Sequence, residues 1–91
     1  MDRLRAHVLI DGRVQGVNFR ASVREQARII GVEGWVSNLD DGRVEAVFEG
    51  PEAAVKLMIS WCYSGPRPAR VDHIDLEWEP PTGQERGFRI V

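Results

Sequence analysis

The 91-residue sequence predicts an α+β fold: two β-α-β units joined through a hairpin, with four or five strands in one antiparallel sheet and two helices on one of its faces. Three observations carry this. Apolar residues switch between strand-like runs and helical spacing in the order strand, helix, strand, strand, helix, strand. The pair Asp41-Gly42 separates two strand-like runs, a strong hairpin signal. Crossovers within one sheet are right-handed, which puts both helices on the same face.

Residues 6–11 (AHVLID) form a short apolar run ended by Gly12, as a buried strand would. From there the period changes. Phe19, Val23, Ala27 and Ile30 recur at helical spacing, Arg20, Arg24, Glu25 and Arg28 take the other faces, and Gly31 stands where a helix stop is expected. Residues 34–38 (GWVSN) and 43–49 (RVEAVFE) are the two strands of the hairpin. Gly50-Pro51-Glu52 opens a second helix, with proline in the first turn where its missing N–H is harmless, and Ala54, Leu57, Met58, Trp61 and Cys62 give it an apolar stripe. Residues 64–68 (SGPRP) are a loop by composition. In residues 71–79, Ile74, Leu76 and Trp78 alternate with Asp75, Glu77 and Glu79, a strand with one wet face. A loop over residues 80–83 leads to a short edge strand at 87–91. This order is the split, ferredoxin-like arrangement, expected to fill residues 1–91 as one domain. It hosts many functions, so function has to be read from residues.

Composition narrows the classes. A chain of this length buries about 65% of its unfolded surface, enough for one core. The net charge of −2 and a pI near 5.6 argue against general affinity for nucleic acid or an anionic membrane. Cys62 is the only cysteine, so neither an intrachain disulfide nor a thiolate metal cluster can form. The N-terminal residues lack the apolar stretch of a signal peptide, and no segment approaches the ~20 apolar residues of a membrane span. A soluble, cytoplasmic protein is expected.

The residues with the most chemical content are 12–20 (GRVQGVNFR). A loop between a strand and a helix exposes unpaired N–H groups at the helix N-terminus, which together with the helix dipole favour an anion. Gly16 permits positive φ, so that successive N–H groups converge. Arg20 is oddly placed for stability, because a cation near that helix end costs about 0.3–1 kcal/mol unless an anion sits in the loop. An ordinary turn with a surface arginine packed along the helix reads the same residues equally well. Asn38, by itself, is best read as a turn residue capping local backbone. The expected strand order nevertheless brings the end of the second strand near the loop after the first, where an amide can hold a water through donor and acceptor.

Other groups carry less. His7 and His73 lack metal-like spacing, and no serine sits in a nucleophile-elbow context. Asp40 and Asp41 belong to the turn. Trp35, Trp61 and Trp78 are core or sheet-face residues, and the central strand RVEAVFE lacks the aromatic and basic display of an RNA-binding sheet.

GRVQGVNFR (residues 12–20) resembles the signature loop of the acylphosphatases, and GWVSNLDDGRVE (residues 34–45) is similar to their second signature. The resemblance continues in Gly65-Pro66, Ala69-Arg70-Val71 and Phe88-Arg89-Ile90, across nearly the whole chain and in order. It implies a ferredoxin-like α/β sandwich that hydrolyses acyl phosphates to a carboxylate and inorganic phosphate, without metal or organic cofactor. It also implies that the loop Gln15, Gly16, Val17, Asn18, Phe19 and Arg20 cradles the phosphate, that Arg20 binds the phosphoryl oxygens, and that Asn38 positions the attacking water. The expected partners are a small acyl phosphate and inorganic phosphate as product or inhibitor, with no nucleic acid, no membrane and a monomeric state. Three positions depart from the common pattern. Ser37 replaces an arginine, Asp40 adds a negative charge near the turn, and Ala21 replaces a larger residue after the Phe-Arg pair. Two other readings stay open: a non-catalytic anion-binding module, and a domain of a larger carbamoyl-transfer factor. The second is disfavoured by the absence of zinc-finger cysteines and by a chain that ends soon after its last strand.

Overall fold

The computed structural model describes residues 2–91. Its elements are β1 (Arg3–Arg13), α1 (Phe19–Ile30), β2 (Glu33–Asn38), β3 (Val44–Pro51), α2 (Glu52–Ser64), β4 (Arg70–Glu79) and β5 (Phe88–Ile90). The strands form one sheet in the order β4-β1-β3-β2-β5, with β4, β1, β3 and β2 antiparallel to one another in turn. The fifth strand departs from the antiparallel expectation: β5 pairs parallel with β2, Val36 opposite Ile90, so the sheet is mixed at that edge. The loop from β4 crosses the sheet before β5 begins, which fixes the direction of the last strand.

Alternation decides the two faces. Ala6, Val8 and Ile10 of β1, Val36 of β2, and Val44, Ala46 and Phe48 of β3 turn toward the helices and are fully buried. They meet Phe19, Val23 and Ala27 of α1, and Val55, Met58 and Cys62 of α2. The buried stripe of α2 therefore runs through 55, 58 and 62, while Leu57 is 58% exposed, so the expected stripe is rotated away from Leu57. Pro51 ends β3 and serves as N-cap, one residue ahead of the helix rather than inside it. On β4 the expected dry face is realised only at Ile74: Leu76 and Trp78 are exposed (40% and 49%), because this edge strand runs beyond the helix layer there.

The opposite face carries charge. Arg5 donates to Glu49 (2.9 Å), Glu79 (3.1 Å) and Glu85 (3.0 Å). Glu49, buried to 1% exposure, also accepts from the main-chain N–H groups of Thr82 and Gly83, which ties the 80–87 loop down over the sheet. Burial alone would raise the Glu49 pKa; the Arg5 guanidinium and these N–H donors outweigh it and hold the carboxyl below its ordinary value. Beside them His7 lies between Glu45 (2.6 Å from Nε2) and Glu79 (2.9 Å from Nδ1). The short apolar run at 6–11 grows into an eleven-residue strand, with Leu4 packed on the core and Arg3 and Arg5 adding ion pairs. Near its end β1 shifts register against β4 between Asp11 and Gly12. Gly12 has φ 136°, and a Cβ there would lie 2.1 Å from the Arg70 carbonyl oxygen, so only glycine fits.

Candidate active site

The strand order brings the loop after β1 and the end of β2 to the same end of the sheet, with β3 between their strands. Two left-handed residues set the course of the loop: Gly16 with φ 74°, and Asn18 with φ 64° and ψ 27°. Glycine takes this conformation freely, and asparagine tolerates it better than other side chains. Asn18 is the N-cap of α1, yet its side chain makes no capping bond, and no acidic residue occupies the first turn. Among the described residues, no protein acceptor takes the main-chain N–H of Gln15, Gly16, Val17, Asn18, Phe19 or Arg20. Donors left open at the positive end of a helix are the arrangement that favours an anion.

Arg20 follows in the first turn, half-buried, with no carboxylate of the described residues in ion-pair range. Its position against the helix dipole is unfavourable by about 0.3–1 kcal/mol. Arg24 continues the row four residues on, and Arg28 four further. Neighbouring like charges at this spacing cost about 0.2–0.5 kcal/mol per pair. Across the loop, Asn38 closes β2, and its Oδ1 is buried without a hydrogen-bond partner. An unmet buried acceptor is destabilising by about 1–3 kcal/mol.

These groups surround one cavity of about 200 Å³. Gln15, Gly16, Asn18, Phe19, Arg20 and Asn38 line it, together with Val14, Ala21 and Ile90. Val17 belongs to the loop but buries its side chain in the core, so only its main chain is free for a ligand. Gln15 is committed differently from the other loop residues. Its Nε2 donates to the carbonyls of Leu39 (2.7 Å) and Arg43 (3.0 Å), and so straps the loop onto the β2–β3 turn. Nothing local in the sequence marks that strap. Ile90 was also unmarked, because it reaches the cavity only through the β2–β5 pairing. The three unusual positions divide. Ser37 makes one long bond to the adjacent Asn38 carbonyl (3.3 Å), Asp40 is exposed in the turn, and Ala21 lies directly on the cavity rim. Asp41 is occupied with Arg43, holding its N–H at 3.0 Å and its Nε at 2.9 Å.

Elsewhere, burial pushes the Cys62 thiol up to about 12, which removes it from thiolate chemistry. One atom each of His7, Glu77 and Glu79 lies within 4.8 Å of the others, a spacing compatible with a cation. Both ring nitrogens of His7 are, however, already engaged by carboxylates, and Arg5 already answers Glu79.

The family model for acylphosphatase matches residues 6–90. An acylphosphatase of Roseiflexus sp. (strain RS-1) is 68% identical over 100% of this chain and 98% of its own length. One from Chloroflexus aurantiacus is 62% identical over 100% and 99%. Among solved structures, the acylphosphatase of Bacillus subtilis superposes with a TM-score of 0.93 at 38% identity, covering 97% of this chain and 98% of that one. With two helices on a five-stranded sheet and this degree of likeness along its whole length, the chain belongs to the acylphosphatase family, hydrolases that act on the acid anhydride of acyl phosphates.

Proposed function

We propose that this hydrolase works as one domain through the cavity between the 14–18 loop and Asn38, by direct attack of an oriented water on the phosphorus. The phosphoryl group of an acyl phosphate sits against the main-chain N–H groups of Gln15, Gly16, Val17, Asn18, Phe19 and Arg20. The guanidinium of Arg20 takes two of its oxygens as a fork. Phosphoryl transfer demands positioning and charge stabilisation more than covalent help, and this donor set supplies both.

The leaving group is a carboxylate, whose conjugate acid has a pKa of about 4. It departs with the bonding electron pair and needs no general acid. As the water oxygen bonds to phosphorus and the P–O bond to the acyl group breaks, the water proton passes to a phosphate oxygen. The products are the carboxylate and inorganic phosphate, which occupies the same cradle as product or inhibitor. An amide takes up no proton near neutral pH, so Asn38 orients the water and does not deprotonate it. The observation that carries this role is the buried Oδ1 of Asn38 with no donor in the protein. A water O–H directed at it satisfies the amide and aims the oxygen lone pair at the cradle.

Hydrolysis of benzoyl phosphate, followed by ultraviolet absorbance, tests the assignment. Asn38→Ala should lower kcat by about two orders of magnitude with KM within a few-fold of wild type. A variant that binds substrate poorly and turns it over normally would show that Asn38 holds the phosphate instead.

A further inference from the structure

The phosphate cradle is not closed on the side of α1. A second, shallow cleft of about 440 Å³ lies open on the surface of that helix, lined by Asn18, Ala21, Ser22, Arg24, Glu25, Arg28 and Ile29 and by no other element. Asn18 and Ala21 line both cavities, so the two adjoin at these residues, where the side chain of Ala21 is a single methyl group. A larger side chain at 21 would stand between them. Charge follows the same path. Arg20 lines the cradle, and Arg24 and Arg28 line the cleft, at i, i+4 and i+8 on one side of the helix. Among the described residues none of the three has a carboxylate in ion-pair range, in a chain where most other arginines are paired. Arg28 gives one donor to the Phe88 carbonyl (3.1 Å), while Arg24 is half-buried without a partner. Glu25 also borders the cleft but is exposed, and the balance of the lining charge remains positive.

We propose that this cleft receives the acyl group, and that Arg24 makes the site selective for acyl phosphates bearing a second anionic group. The proposal rests on the reading that Arg20 and the loop hold the phosphoryl end. Arg20 and Arg24 are one helical turn apart, about 5.4 Å along the axis. An acyl chain of four carbons ending in a carboxylate spans that interval. Its distal acid would meet Arg24, with the methylenes passing over Ala21. Arg28, held partly by Phe88, extends the positive field without reaching a substrate so short. The partial exposure of Arg24 limits its effect and makes it salt-sensitive.

The test compares succinyl phosphate with butanoyl phosphate, which has the same chain length and no distal charge. For the wild type, kcat/KM should favour succinyl phosphate about fivefold at low salt. The preference should reside in KM and shrink at high ionic strength. Arg24→Gln keeps a good helix former and should bring the ratio of the two kcat/KM values close to one. Ala21→Lys should lower turnover of both substrates by blocking the rim. Arg20→Ala, in contrast, should abolish most activity on both without changing their ratio. An Arg24→Gln enzyme that folds, as judged by its circular dichroism and Tm, and keeps the wild-type ratio overturns the proposal. Wild-type activity that survives Arg20→Ala overturns the underlying reading instead.

Discussion

Arg20 carries a charge that nothing in the described protein answers, at the end of a helix where a cation is unwelcome. That discomfort is what the proposed function accounts for: a phosphoryl group held in the loop would relieve it. Removing one preorganised donor from such a site typically lowers the rate about 10²–10³-fold. Arg20→Ala should therefore lose at least that factor in kcat/KM on benzoyl phosphate. It should also melt at a slightly higher temperature than wild type in phosphate-free buffer, since the unfavourable dipole contact is gone. Arg20→Lys keeps the charge but not the planar fork, and should recover little of the rate. Near-normal turnover in the lysine variant would show that charge alone suffices. Asn18 shows the same logic: a left-handed N-cap with no side-chain capping bond leaves the first helix donors unmet by that side chain.

At the scale of elements, the site depends on a strap rather than on either half alone. Gln15 joins the phosphate loop to the β2–β3 turn by two hydrogen bonds from one amide nitrogen. The carbonyls of Leu39 and Arg43 each keep another donor in the turn, so Gln15→Leu should destabilise the fold by only about 1–2 kcal/mol. Catalysis should suffer more than stability, with kcat down about tenfold, because a small displacement of Asn38 relative to the loop misdirects the water. Chemical denaturation and steady-state kinetics on the same preparation separate the two effects. A variant as active as wild type would mean that the turn holds its own position.

This strap also marks where sequence reasoning stops. Periodicity and turn residues outline β1, α1, the hairpin, α2 and β4, because each depends on neighbours along the chain. The candidate loop is legible for the same reason: Gly16, Asn18 and Arg20, which line one cavity, lie within one short stretch of chain. Gln15 reaching Leu39, Ile90 joining the cavity, and the parallel pairing of β5 are long-range outcomes that no local pattern encodes. Leu57 misleads because an apolar residue adjoining a helical stripe is indistinguishable from a member until the packing angle is known.

For the whole molecule, the charged face of the sheet sets the pH range of stability. Burial alone would lower the pKa of His7, but the carboxylates of Glu45 and Glu79 outweigh it and raise it above 6.5. The stabilisation this provides is fully present below 6.5 and is lost as the pH climbs through the raised folded-state value. Glu49 and Glu79 are shifted the other way. Their contribution is present above about 4.5 and is lost as the pH falls through their lowered values. Tm should accordingly be highest between roughly 4.5 and 6.5, with a shoulder falling on each side. His7→Gln should flatten the alkaline shoulder and also weaken the Glu79 part of the acid one, whose largest cause is His7, while leaving the Glu49 part. An unchanged alkaline limb in that variant would mean that another group titrates there.

β3 contributes no residue to the cradle, yet it lies between β1 and β2 and is buried along almost its entire length. The phosphate loop and Asn38 come from strands that never touch each other; only β3 spaces them. A chain that has collapsed without inserting β3 therefore has no catalyst, however much helix it has formed. The reaction becomes a clock for folding: recovery of activity after dilution from denaturant should trail the return of helical circular dichroism and coincide with the final sheet pairing.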